Sequence, residues 1–478
     1  MSVRQGGGGR PAFAFAIAAA AAVVCSWTAA AGGPILHARW HLLLVLGIWA
    51  TAWLLGVLAA FRLPTRVAMG LVLVAAAAVR LAALAGPPTT SDDLYRYAWD
   101  GRVQASGADP YALAPAAPEL VTLRDPWLWP DARGCAQLDR APGCTRINRP
   151  AERTIYPPVA EAWFGAVHGL AGDGARHKAW QVAGLATDLA TVGLLVLALG
   201  RWGRDRRWAA MYALCPAPAF EFVHNAHVDG VAVALLLAAF WTSLDPRGTR
   251  TSKKRDVAVG LLIGAAALVK VYPALVLVAV LCLPRVRPWA SLARATAAAA
   301  VLTVLTYLPH VLAAGGHVLG YLPGYLSEEH YDGGGRFLLA GALALSSPAA
   351  GVAAAALFVV VLAWVVHRRP EAPLAAAVLL VALFLTTTPV QPWYAISALA
   401  LGSLAAWPAP AAVVAAGYPY YFAVILSSRH ASAVGRLGYA WAAIVVAAAR
   451  PRSSGTDRQA VAATKRERQR RLVRGRGS

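Results

Sequence analysis

What this 478-residue chain has least of is charge. Asp, Glu, Lys and Arg make up 14% of it, against about 25% in an ordinary soluble domain. Cysteine and methionine are also scarce, at 5 and 3 residues. No P-loop, G-x-S-x-G or H-E-x-x-H occurs, and the glycine runs at 6–9 and 333–335 read as low-complexity turns rather than a dinucleotide loop. Nothing therefore points to a nucleotide site. What is present is apolar: 58% of residues are hydrophobic, mean hydropathy is +0.53, and runs near 20 residues recur, the length a helix needs to span about 30 Å of hydrocarbon. The expected fold is an all-α polytopic membrane protein.

The formal net charge of +21 is read as topology and not as nucleic-acid binding, because cytoplasmic loops collect Lys and Arg. The first apolar run, 11–31, has no small-residue cleavage site behind it and reads as a retained helix. Further spans fall at 41–61 and 67–86, with Arg62 and Arg66 between them on the inner side. The segment 87–176 is then a large extracytoplasmic loop. Spans at 178–200, 208–223 and 229–245 follow. The clusters Arg201, Arg204, Arg206 and Arg207, then Arg247 to Arg255, then Arg285, Arg287 and Arg294, then Arg368 and Arg369 all fall inside if both termini are cytoplasmic. Parity demands an even number of spans: twelve, or fourteen with a short pair at 258–283. The stretch 156–172 reads as a short helix at the outer interface, since Pro157 and Pro158 suit a helix start. The plan is a basic arm at 1–10, a membrane domain at 11–450 and a disordered basic tail at 451–478 beside the anionic leaflet, worth about 1 kcal/mol per basic residue.

The loop 87–160 has no Lys, and its eight Arg face nine Asp and Glu, a balance that suggests a folded element. Cys135 and Cys144 bracket a short Pro-Gly turn and read as a disulfide outside the cytoplasm. Cys25, Cys215 and Cys282 sit in or beside spans and read as inert. "TTSDDLYRYAWDGRVQASGADPY" (89–111) places Asp92 and Asp93 just beyond the third span. Ser91 or Asp92 can cap a following helix. Arg96 stands at i+4 from Asp92 and Asp100 at i+4 from Arg96, an acid–base–acid ladder on one face. One aspartate is expected to be a general base, with Asp92 favoured as the residue nearer the membrane and Asp93 left to orient an arginine. Arg96 and Arg102 are expected to hold an anion.

"FVHNAHVDGVA" (222–232) brings His224, Asn225, His227 and Asp229 to the same side, where sugar or phosphate hydrogen bonding fits better than zinc, the histidines being only i,i+3. Lys270 in "LVKVYPALV" is expected at the tip of a hairpin, with Tyr272 beside it and Pro273 opening the return helix, because a charge at the bilayer centre costs about 2.5–3.5 kcal/mol. There it could meet a phosphate. "TTTPVQPWYA" (386–395) puts Gln391, Trp393 and Tyr394 at that surface, and Tyr156 joins them from the loop. Glu328, Glu329, His330 and Asp332 lie in a polar loop on the same side.

Those segments, together with "INRPAERTIYPPVAEAWF", resemble the GT-C integral-membrane glycosyltransferases, and more closely the bacterial polyprenol-phosphate-mannose-dependent mannosyltransferases. The chain differs from the simplest plan by two helices before the span that precedes the acidic loop. The resemblance implies a GT-C-like bundle in the cell membrane, an extracytoplasmic active site, a polyprenyl-phosphate sugar as donor, and a glycan or glycolipid acceptor. It implies catalysis by Asp92 or Asp93, donor phosphate held by Arg96, Arg102 and Lys270, and a substrate pocket of Asp100, Tyr156, His224, Asn225, His227, Asp229, Gln391, Trp393 and Tyr394. A divalent metal is left open. A lipid-linked glycan ligase or polymerase would share these groups. A transporter would instead want ionisable residues deep in several spans and an inverted repeat.

Overall fold

A computed structural model describes residues 9–35, 39–245, 252–329, 331, 336–342 and 347–449. The arm at 1–8, the tail, Arg247, Arg250, His330 and Asp332 lie outside the described residues. Among those described, the chain is helical, with no strand. Seven helices are long and apolar enough to cross a membrane: Gly9–Ala31, His41–Phe61, Thr65–Ala82, His177–Arg201, Pro288–Glu328, Pro348–Arg368 and Ala431–Ala448. Shorter apolar helices run over Asp229–Ser243, Tyr272–Cys282, Ala372–Thr386 and Pro410–Ile425. Further helices run over Ala209–Ala213, Lys253–Ala267 and Pro392–Leu404. The protein is an all-α, multi-pass membrane protein.

The two ends differ in chemistry. At one, Arg207 donates to the carbonyls of Phe61 and Leu63 at 2.8 and 3.0 Å, Arg201 to Trp241 O at 2.7 Å, and Arg285 and Arg294 both reach Asp256. Each of these arginines ties off carbonyls or a carboxylate where helices stop. The other end holds a large cavity, described below.

Three departures from the sequence reading shape that end. The segment expected as one span at 208–223 is broken into Ala209–Ala213, Pro216–Pro218 and a π-helical turn Ala219–His224. Pro216 and Pro218 lack the N–H a continuous helix needs, and the turn closes with Asn225 N–H on Phe220 O at 3.0 Å, an i→i−5 bond. The third span stops at Ala82, short of 86. Gly86 then passes so near the first helix that a Cβ there would sit 2.1 Å from Ala30 O. The return arm of the hairpin after Lys270 is a 3-10 helix, Tyr272–Cys282, with Pro273 in its first turn.

The loop helix Pro158–Ala171 starts after Pro157, as its prolines dictate. It lies against the helix Asp93–Ala105 so tightly that a Cβ on Gly101 would be 2.6 Å from Phe164 O. Its first free amides, Val159 and Ala160, donate to Leu268 O at 3.1 and 3.2 Å. One short helix thereby links the aspartate helix to the hairpin that carries Lys270.

Candidate active site

The helix Asp93–Ala105 begins at the aspartate pair. Its cap comes from Ser91, whose Oγ accepts the Asp93 N–H at 3.2 Å. Asp92 occupies the N-cap position but makes no cap bond through its side chain, so its carboxylate is free for other partners. Asp92 and Asp93 both line a cavity of about 1200 Å³, together with Arg96, Tyr156, Lys270, Gln391, Trp393 and Tyr394.

The two acids face different ways. Asp92 Oδ2 accepts from Arg140 Nη2 at 3.2 Å and its side chain is 48% exposed. Burial pushes its carboxyl above the ordinary range, against the pull of Arg140. Asp93 is less exposed, at 21%. It accepts from Asn148 Nδ2 at 2.7 Å, and its other oxygen is 3.6 Å from His227 Nδ1. The expected orientations are thus reversed: Asp92 meets the arginine and Asp93 faces the bundle. The cause is the helix start, where Asp92 stands outside the helix at φ −98°, ψ 2° and Asp93 is its first residue.

The acid–base–acid ladder forms only in its second half. Arg96 Nε sits 2.9 Å from both oxygens of Asp100, and Nη1 donates to Glu152 O at 3.0 Å. Asp100 is buried beneath the cavity wall beside Glu161. Burial, then the like charge of Asp100, hold the Glu161 carboxyl well above its usual range, while Thr154 and Gln104 donate to its two oxygens at 2.6 and 2.9 Å. Arg102 is not among the residues lining the cavity. It is buried and spends its guanidinium on Asp125 and the carbonyls of Leu123 and Asp173.

The "HNAHVDG" residues also lie behind the wall rather than on it. His224 Nε2 pairs with Thr89 Oγ1 at 2.9 Å and Nδ1 with Ala83 O at 3.0 Å. Asn225 Oδ1 accepts the amides of Thr89 and Thr90, and Nδ2 donates to Thr90 Oγ1 at 2.7 Å. These two side chains clamp the strip of backbone leading into Asp92; their partners are protein, not sugar. His227 and Asp229 are buried, and neither ring nitrogen of His227 nor either oxygen of Asp229 has a hydrogen-bond partner.

Lys270 lines the cavity with its ammonium 5.0 Å from the Tyr156 ring and 5.1 Å from the Tyr394 ring. Two aromatic faces hold a cation by their quadrupoles while leaving its three N–H donors for an anion. Tyr156 is itself fixed by Tyr111, whose hydroxyl donates to Tyr156 O at 2.6 Å. Glu328, by contrast, is drawn out to Arg149, bonded at 2.9 and 2.5 Å, and Glu329 lines the cavity while paired with Arg336. Cys135 and Cys144 are joined by a disulfide, Cα atoms 5.8 Å apart, which closes the turn that presents Arg140. Among the described residues no three His, Cys, Asp or Glu side chains are grouped to hold a metal ion.

Sequence reasoning missed Arg140, Asn148 and Glu221. Glu221 carried a signal: a lone acid between two phenylalanines inside an apolar run, which in a membrane span is a functional candidate by default. Arg140 and Asn148 carried none, since their closeness to the aspartates depends on how the stapled loop folds back.

Residues 154–392, that is 239 of 478 and half the chain, match the family model for glycosyltransferase family 87. The chain belongs to glycosyltransferase family 87. Searches of curated proteins and of solved structures returned no match. The matched segment of this glycosyltransferase contains Tyr156, His227, Asp229, Lys270 and Gln391, while Asp92 and Asp93 precede it. A glycosyltransferase needs a sugar donor and an acceptor, and the cavity groups acidic, basic and aromatic side chains on one wall.

Proposed function

We propose that this transferase moves a hexose, mannose in the first instance, from a polyprenyl-phosphate sugar to an extracytoplasmic glycan or lipid-linked acceptor, with inversion at the anomeric carbon. One observation carries the reading: the aspartate pair and a lysine cradled by two tyrosines share one cavity at the end of a membrane bundle. Polyprenyl phosphate is already a good leaving group, so its departure needs a cation placed where negative charge develops rather than an acid. Lys270 fills that role, with Arg96 beside it on the wall. Asp93 takes the proton of the acceptor hydroxyl. The acceptor oxygen then attacks the anomeric carbon, the bond from that carbon to the phosphate oxygen breaks, and the phosphate leaves with the electron pair. A single displacement inverts the centre, so a β-linked donor yields an α-linked product.

The lining also suits a lipid-borne donor. Val271 and Leu319 line the cavity and are 65% and 60% exposed, giving an apolar margin along which a polyprenyl tail can lie. The test is to incubate membranes containing the protein with radiolabelled polyprenyl-phosphate mannose, polyprenyl-phosphate glucose and GDP-mannose in parallel. Transfer from the first alone is expected. Transfer from GDP-mannose, or from no polyprenyl donor, contradicts the reading. A lipid-linked glycan ligase remains distinguishable, since it would move a preassembled oligosaccharide and ignore all three.

A further inference from the structure

His227 is a buried polar group beside the cavity. Its side chain has no exposure. Its ring lies 3.9 Å from that of Trp393 and is nearly parallel to it, at 17°. One edge presents Nδ1 to Asp93 Oδ2 at 3.6 Å, and the other presents Nε2 to Glu221 Oε2 at 3.4 Å. Neither contact is a formed hydrogen bond, and both nitrogens are without a partner. A buried imidazole left this way is costly. Distances a few tenths of an ångström too long are common at catalytic contacts before substrate is bound.

Glu221 is held on its far side. It is buried in the π-helical turn Ala219–His224, with Tyr418 donating to Oε1 at 2.9 Å and Asn225 to Oε2 at 3.1 Å. The same Asn225 holds Thr90, two residues before Asp92. Asp229 starts the next helix and is an electrostatic neighbour of His227, and Lys270 acts on both Asp229 and Asp93. Asp92, Arg149, Tyr97, Tyr156, Tyr394 and Tyr421 also act on Asp93, and Tyr418 and Tyr421 on Glu221. No other basic nitrogen lies within ion-pair distance of both Asp93 and Glu221 among the described residues.

We propose that His227, anchored by Glu221, is a positioning residue for Asp93: an imidazolium held between two carboxylates that keeps Asp93 ionised and turns its other oxygen, the one Asn148 reaches, toward the cavity. His227 touches no substrate in this scheme. In the resting trio the ring between the two carboxylates carries both of its N–H protons. When the acceptor O–H bond breaks, Asp93 takes that proton, and the imidazolium keeps its own two. The role rests on Asp93 being the base, as set out above, but the arrangement itself does not depend on which sugar is moved.

The experiment reads Asp93 directly, so that it does not require turnover. The full chain is reconstituted in lipid nanodiscs, and the carboxyl-stretch infrared signal lost in Asp93→Asn is followed against pH. An opposite charge at this range lowers a carboxyl by about one to three units. Removing it in His227→Gln is therefore expected to move the Asp93 midpoint upward by about one pH unit. Glu221→Gln, which keeps the ring but weakens its hold on the proton, moves it the same way by less. The double variant moves it no further than His227→Gln. Should His227→Gln fail to fold, Glu221→Gln decides alone. An unmoved midpoint in a folded variant overturns the proposal, as does a downward shift. If wild-type membranes transfer from none of the sugar donors while the midpoint still moves, the relay stands and the assigned reaction falls.

Discussion

Two of the polar groups buried in this bundle are settled in opposite ways. In the first, Arg80 of the third span meets Asp188 with both side chains fully buried, Nε to Oδ2 at 2.7 Å. Arg80 Nη1 also reaches the carbonyls of Ala76 and Ala213, and Tyr212 donates to the other oxygen of Asp188 at 2.5 Å. Only Arg80 Nη2 is left over. In the second, beside the cavity, both nitrogens of His227, both oxygens of Asp229 and Trp393 Nε1 go without a formed hydrogen bond. Burying polar groups is expensive in either place. The first cluster discharges that cost internally and so belongs to the scaffold. The second leaves capacity open next to a cavity, which is what a site that must bind something requires.

The difference can be broken from either side. Arg80→Ala strands a buried carboxylate and should destabilise the protein by about 3–5 kcal/mol, read as a lowered unfolding midpoint in bicelles. Asp229→Asn keeps the size of the side chain and removes the charge that faces Lys270 and His227, and should change stability by no more than about 1 kcal/mol while slowing transfer through its effect on Lys270. Equal destabilisation by the two would erase the contrast.

Lys270→Ala comes next in size. Charge-assisted hydrogen bonds contribute about 1.5–3 kcal/mol, so donor affinity should fall roughly tenfold to a hundredfold with the unfolding midpoint little changed. Titration with polyprenyl-phosphate mannose checks it; unaltered affinity would make Lys270 a lysine snorkelling between two tyrosines.

The disulfide turn should respond locally. Cys135→Ser with Cys144→Ser should cost about 2–3 kcal/mol, seen as faster amide exchange across 126–150 with the spans unaffected. The same pair reports sidedness. Thiol labelling on intact cells should rise after reductant is added, and labelling that appears only after lysis would put this loop in the cytoplasm.

The smallest effect is expected at Glu161. Its folded carboxyl titrates above the unfolded one, because burial and then Asp100 oppose its ionisation. The proton therefore stabilises the loop at low pH, and that stability is lost as pH rises through the folded value. Glu161→Gln should flatten this fall and alter stability by under about 1 kcal/mol at acid pH; an unchanged slope in pH-dependent unfolding would refute it.

Much of the scaffold was legible because it follows from chemistry local in sequence. Arginines mark one end of the helices, Pro157 and Pro158 start the loop helix, and a lysine amid apolar residues must come to a surface; Lys270 indeed lines the cavity. The site was legible in its types but not its directions. His224 and Asn225 look like ligands to a substrate, yet they bond Thr89 and Thr90, some 135 residues away. A carboxylate's partner is set by which way the first helical turn points it, which is why Asp92 meets the arginine and Asp93 faces the bundle, opposite to the expectation. The span at 208–223 broke at prolines that were visible, but that the break would bury Glu221 against His227 was not.

The central claim is that the aspartate facing the bundle is the base. It is tested by comparing sugar transfer from polyprenyl-phosphate mannose in Asp93→Asn and Asp92→Asn proteins present at equal levels in membranes. Asparagine keeps the size of the side chain and removes its basicity. Asp93→Asn is predicted to lose about 10²–10⁴-fold in rate, while Asp92→Asn, which loses only a rim contact to Arg140, is predicted to lose about tenfold or less. Near-normal turnover by Asp93→Asn, with the large loss falling on Asp92→Asn, would contradict the account and return the base to the residue at the rim.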